Sequence, residues 1–168
     1  MKKWIILGII VLLIVGYILF KAIFPIDIFE VKGQSMEPTL KDGDRIVLNN
    51  NDKNYRRGDV IIFSDPQGRT DFLISRIIGL PNDTIEIKNG KVYVNGSEFN
   101  QPYIKDPTAP DSKNVLGSDQ YYLIGDNRLA SRDSRLFGPI SRSQIDGDGK
   151  IGGKVWKREN GNLIELSK

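Results

Sequence analysis

Thr84-Ile85-Glu86-Ile87-Lys88-Asn89-Gly90-Lys91-Val92-Tyr93-Val94 decides the fold class. Apolar and polar residues alternate on both sides of Asn89-Gly90, which is the period of a strand with one buried face. Asn and Gly both tolerate the positive φ that a two-residue hairpin turn demands, so the two runs fold back on each other. Outward from this hairpin, Asp59-Val60-Ile61-Ile62-Phe63 reads as a strand bounded by Gly58 and Pro66. Phe72 to Ile78 reads as another, closed by Gly79 and Pro81, and Tyr121 to Ile124 as a fourth strand running into Gly125. Ile151 to Trp156 is a last strand, with a polar tail beyond it. Residues 95–119 are rich in Asn, Pro, Asp and Ser and predict a surface loop. Pro139 to Ile145 predicts one helical turn. Outside the N-terminus there is no sustained 3.6-residue period and no internal repeat. Residues 25–168 therefore read as one mainly β domain.

The first 24 residues are different. Trp4 to Phe20 carries no charge, and the stretch through Phe24 spans 21 residues. At ~1.5 Å per residue that is about 31 Å, close to the thickness of a hydrocarbon core. Pro25 ends the helix, since it lacks the donor for the next backbone bond. Lys21 lies near one end, where its ammonium can snorkel to lipid headgroups. Lys2 and Lys3 precede the run, so the positive-inside tendency predicts a cytoplasmic N-terminus and an external C-terminal domain. A cleaved secretory signal is the alternative. Its apolar region would be shorter and would end in a small-x-small site, which Ala22-Ile23-Phe24-Pro25 does not supply.

Composition removes several classes of chemistry. The 168 residues contain no cysteine and no histidine. Disulfides, thiolate metal sites, a Cys nucleophile and a His general base are thereby excluded. The formal charge of +3 comes from the membrane flank: without Lys2, Lys3 and Lys21 the chain has 21 basic and 21 acidic side chains. The basic balance is therefore no argument for nucleic acid. About 140 residues remain beyond the apolar run, enough for one domain with its own core.

Three blocks carry residues able to do chemistry. The first is Gly33-Gln34-Ser35-Met36-Glu37-Pro38-Thr39-Leu40, just past the apolar run. Read locally, Ser35 caps a short turn with Pro38 inside it. A serine at such a turn is also a candidate nucleophile whose own N–H helps to bind an oxyanion. Gly33 permits close approach of a substrate backbone, with Gln34 and Met36 beside it, although Met36 also suits a core position. The second block is Ser75-Arg76-Ile77-Ile78-Gly79-Leu80-Pro81-Asn82-Asp83. The third is Gly125-Asp126-Asn127-Arg128-Leu129-Ala130-Ser131-Arg132-Asp133-Ser134-Arg135-Leu136-Phe137-Gly138.

Together these blocks resemble those of bacterial type I signal peptidases, the membrane serine proteases that remove signal peptides. The resemblance covers roughly residues 1–157. It implies a compact signal-peptidase-type β domain preceded by one transmembrane helix, single-pass in the cell membrane with the β domain extracytoplasmic. It implies Ser35 as nucleophile and Ser131 as the residue orienting the general base. Asp133 and Arg135 would buttress the site, and Arg76 would pair with Asp126. The partners implied are membrane lipid and the signal-peptide region of an exported preprotein or pilin, taken as an extended strand along a sheet edge. Neither a metal nor an organic cofactor is implied.

One residue departs from that pattern. The family's general base is the lysine directly before the arginine of the second block, and here that position is Ser75. A serine hydroxyl cannot accept a proton near neutrality, whereas a desolvated lysine can. Lys88, Lys91 and Lys105 are the nearest lysines that follow, and the first two flank the hairpin turn. Three explanations stay open: an engineered knockout of an active peptidase, a natural member that has lost catalysis and kept a binding role such as pilus assembly, or a base elsewhere in the chain.

Overall fold

The computed structural model describes residues 2–23, 26–49, 52–102, 104, 106–146, 152–160 and 162–166. Its elements in chain order are α1 (Lys2–Ile23), β1 (Ile26–Glu30), β2 (Arg45–Asn49), β3 (Val60–Ser64), β4 (Phe72–Gly79), β5 (Thr84–Lys88), β6 (Lys91–Val94) and β7 (Ser97–Glu98). These are followed by β8 (Ser112–Val115), β9 (Gln120–Ile124), α2 (Ser134–Phe137), β10 (Ile140–Ser141), α3 (Arg142–Ile145), β11 (Gly153–Glu159) and β12 (Asn162–Glu165). The fold is mainly β, as the alternation predicts.

The hairpin forms at the predicted residues. Asn89 and Gly90 take φ of 51° and 79°, and Ile87 lies opposite Val92 across the turn. It belongs to a small antiparallel sheet in the order β7-β6-β5-β8. The larger antiparallel sheet runs β1-β2-β11-β3-β4-β9-β10, with β12 added beside β11.

β3 shows why its sequence is an unbroken apolar run rather than an alternating one. Val60 and Ile62 enter a cluster with Met36, Leu40, Ile46 and Leu48, while Ile61 and Phe63 face Ile77, Leu123, Ile140 and Ile145 on the other side. Both faces of the strand are covered. Each fully buried Ile or Phe contributes roughly 1.5–3 kcal/mol by leaving water. A third cluster joins the small sheet to the large one, through Ile85, Ile87 and Val92 against Ile78, Tyr122 and Ile124.

Three expectations need correction. The stretch 95–119 is not wholly loop: β7 pairs with β6, and β8 pairs with β5 from Thr84↔Val115 to Ile87↔Ser112. The strand expected at 151–156 is not the last, because β12 lies beyond it and pairs with β11 from Trp156↔Glu165 to Glu159↔Asn162. β1 and β2, paired from Ile26↔Asn49 to Glu30↔Arg45, are strands that the reading above does not contain. The helical turn in 139–145 is present as α3, closed by a capping box between Ser141 and Gln144. Ile151, Pro25 and the side chain of Lys21 lie outside the described residues.

Every α1 side chain described, Lys3 to Leu19, is exposed. Among the described residues no helix is long and apolar enough to cross a membrane.

Candidate active site around Ser35

Ser35 sits in a turn anchored from both ends. Before it, Gly33 takes φ 91° and donates its N–H to Asp42 Oδ1 at 2.7 Å. After it, Leu40 N–H bonds to the Met36 carbonyl at 2.9 Å, and the side chains of Met36 and Leu40 are buried in the core. Met36 is thus a core anchor. Gly33 and Gln34 are exposed beside it.

The third block holds this turn by its main chain. The carbonyl of Ser35 accepts from Asn127 N–H at 3.0 Å and lies 2.8 Å from Ser131 Oγ. Ser131 Oγ is also 2.6 Å from the Asn127 carbonyl. The residue expected to orient a base therefore uses its hydroxyl on backbone carbonyls. With its carbonyl fixed, the Ser35 N–H has no hydrogen-bond partner among the described residues. That is the state required of an oxyanion donor.

Gly125 makes room for this contact. A Cβ at 125 would meet Ser131 Oγ at 1.9 Å and the Ser35 carbonyl oxygen at 2.7 Å. Ser75 is buried, 1% exposed, and lies on β4 one residue before Arg76, which faces Ile124 of β9.

The supporting charges close around the same strands. Arg76 and Asp126, each side chain 1% exposed, form a two-pronged pair at 2.9 Å (Nε–Oδ1) and 2.6 Å (Nη2–Oδ2). Thr39 Oγ1 donates to Asp126 at 2.5 Å, and Arg76 also donates to the carbonyls of Gly58 and Leu166. A buried pair of this kind persists only when its remaining donors and acceptors are satisfied. Asp133 caps α2, accepts the Gly125 N–H at 3.0 Å and pairs with Arg135 at 2.8 Å.

A groove of about 480 Å³, mostly apolar in lining, opens beside Ser35. One wall is residues 29–32 and the other residues 70–74, with Met36 and Ile46 contributing to the lining. β1 is an edge strand, and β4 meets β9 only from Arg76 onward. Residues 72–75 thus have an unpaired edge on the β9 side. An apolar groove lined by strand residues with free backbone edges suits an extended peptide.

Comparison with known proteins identifies the family. The family model described as "Signal peptidase, peptidase S26" matches residues 1–153. The chain belongs to this family of bacterial type I signal peptidases. Signal peptidase IB of Staphylococcus aureus is 35% identical over 179 aligned positions, covering 92% of this chain and 88% of that one. Signal peptidase I P of Bacillus subtilis subsp. natto is 34% identical, covering 86% and 82%. A crystal structure of a signal peptidase I from Enterococcus faecalis aligns with TM-score 0.49 and 26% identity, over 54% of this chain and 92% of that one.

Within this signal peptidase framework, the base position stands out. Lys88 and Lys91 are exposed, and Lys91 is paired with Glu98 at 2.9 Å. Lys105 lies outside the described residues. The sequence reading passed over Lys154, which is buried and sits on β11 opposite Ile61, as Ser75 does on β4. Two strand spacings, roughly 10 Å, separate them. Lys154 Nζ bonds to Asp52 at 2.9 Å and Asp59 at 3.0 Å. Burial alone would lower its pKa, but the two carboxylates outweigh burial and raise it. An ammonium held charged in this way is no proton acceptor.

Proposed function

We propose that this protein is a membrane-anchored signal-peptidase-type serine endopeptidase acting on exported preproteins or pilins. α1 is the anchor in this reading: its 22 residues span about 33 Å at ~1.5 Å per residue, and its large apolar side chains described between Trp4 and Leu19 are exposed. The N-terminus lies in the cytoplasm and the β domain outside. The substrate enters the groove as an extended strand, with small residues near Ser35. Ser35 Oγ attacks the scissile carbonyl and Ser35 N–H receives the developing oxyanion. The observation that carries this reading is the Ser35 carbonyl clamp beside the groove, made by Asn127 N–H at 3.0 Å and Ser131 Oγ at 2.8 Å.

Position 75 sets the rate. General-base assistance is worth ~10²–10⁴, and none of Lys88, Lys91 and Lys154 is placed to supply it. As written, the chain turns over far more slowly than its Ser75→Lys form. That same residue favours a second reading: a noncatalytic signal-peptidase-like module that binds preproteins or pilins during assembly, with groove, clamp and buried ion pairs intact.

Both readings require the groove. Fluorescence anisotropy of a labelled signal-peptide segment against the chain in detergent micelles tests it, with Phe72→Asp placing a charge on the groove wall. Affinity should fall at least about tenfold, the cost of burying one unpaired charge against an apolar ligand. Equal affinity for both proteins removes the groove as the binding site.

A further inference from the structure

Arg132 occupies a position in the third block to which the resemblance assigns no role. Its neighbour Ser131 holds the Ser35 carbonyl. Its own guanidinium reaches the turn joining β3 to β4. Arg132 Nη2 lies 3.2 Å from Asp65 Oδ2 and 3.1 Å from Gln67 Oε1. Its guanidinium carbon stands 6.0 Å from the centre of the Phe137 ring.

Asp65 organises that turn. Its side chain is 0% exposed. It accepts the N–H groups of Gln67 at 2.9 Å, Arg69 at 3.1 Å and Thr70 at 3.1 Å. Burial alone would push its carboxyl up. The backbone donors and Arg132 together outweigh burial and hold it below the usual carboxylate range. The turn therefore presents a fixed anion, with Arg132 as the cation that meets it. The turn continues directly into Thr70, Asp71 and Phe72, one wall of the groove.

We infer that Arg132 is a positioning residue that fixes the groove wall at 70–74 relative to the nucleophile turn. Residues 131 and 132 are adjacent in the chain. One grips the nucleophile's carbonyl, and the other grips the anion on which the wall is built. A groove that accepts an extended peptide needs a constant gap between its walls, and two consecutive residues set that gap here. Without Arg132 the turn keeps its internal hydrogen bonds but loses its tie to the Ser131 loop. The consequence for substrate rests on the groove reading given above.

The test uses the full chain and its Arg132→Gln and Arg132→Lys variants. Backbone hydrogen exchange should quicken at 67–73 in Arg132→Gln, leave β5 and β6 unchanged, and recover in part in Arg132→Lys. Signal-peptide affinity should fall about twofold to fivefold in Arg132→Gln, the scale of a partly exposed ion pair. In the Ser75→Lys form KM should rise by the same factor, with kcat within about twofold. Unchanged exchange at 67–73 overturns the proposal. Faster exchange with unchanged peptide affinity overturns it too, as does a fall in kcat at constant KM. If the parent chain binds no peptide, the groove reading fails, while hydrogen exchange still decides whether Arg132 fixes the wall.

Discussion

Ser131 Oγ lies 2.8 Å from the carbonyl oxygen of Ser35, across 96 residues of chain. This contact joins the third block to the first through a backbone atom. Besides any part in orienting a base, the hydroxyl contacts the peptide plane that carries the candidate nucleophile. In the Ser75→Lys form, Ser131→Ala should lower kcat by about 10–100-fold, since small displacements of a reacting group are costly. Stability should fall by only about 1 kcal/mol, the worth of one hydrogen bond. Turnover and thermal midpoint measured together check this; a large stability loss with little loss of kcat would contradict it.

Gly125→Ala is a sharper probe of the same contact. Its Cβ would sit 1.9 Å from Ser131 Oγ, 2.6 Å from Ser131 Cβ and 2.7 Å from the Ser35 carbonyl. Two of these neighbours are held in the clamp, so relief requires the Ser35 turn to move. A cost of about 1–3 kcal/mol and loss of cleavage in the Ser75→Lys form are expected. A Gly125→Ala protein with unchanged melting and full turnover would show that the clamp is slack.

Asp126→Ala should be among the most damaging single changes outside the apolar core. It leaves Arg76, at 1% side-chain exposure, charged and without its carboxylate. Removing one partner of a buried pair costs about 3–5 kcal/mol. Chemical denaturation of the two proteins measures it, and a loss under 1 kcal/mol would mean that water reaches the pair.

Acid should destabilise the domain through its turns. Burial pushes the Asp83 carboxyl up, but the Leu80 N–H, Asn95 and Arg57 together hold it below its ordinary value. Asp65 behaves the same way. A carboxyl depressed in the folded state stabilises above its unfolded pKa, and that contribution is lost as pH falls through the folded pKa. The melting temperature should therefore drop as pH falls below about 4. Asp83→Asn should flatten that drop while lowering stability at pH 7. An unaltered acid limb in Asp83→Asn would rule out this origin.

Much of this was legible in the sequence, in places with a physical reason. The hairpin at Asn89-Gly90 declared itself because its two strands are half-buried and its turn needs positive φ. β8, Ser112-Lys113-Asn114-Val115, did not, because pairing with β5 supplies its structure and its side chains show no apolar alternation. β12 escaped for the same reason. Ser35 was a candidate from its turn, whereas the Arg76–Asp126 pair and the places of Asp133 and Arg135 could be anticipated only through the resemblance of the three blocks. The hold on Ser35 was not legible, since a carbonyl acceptor leaves no mark on residue type. Lys154 reads as an ordinary strand lysine until the fold brings Asp52 and Asp59 to it.

The central claim is that Ser35 is a nucleophile lacking only a general base at position 75. Cleavage of an exported preprotein by three proteins tests it most directly: this chain, Ser75→Lys, and Ser75→Lys with Ser35→Ala. The account predicts cleavage by Ser75→Lys at least about 10²-fold faster than by this chain, abolished by adding Ser35→Ala. Equal rates for this chain and Ser75→Lys, or cleavage that survives Ser35→Ala, would contradict it.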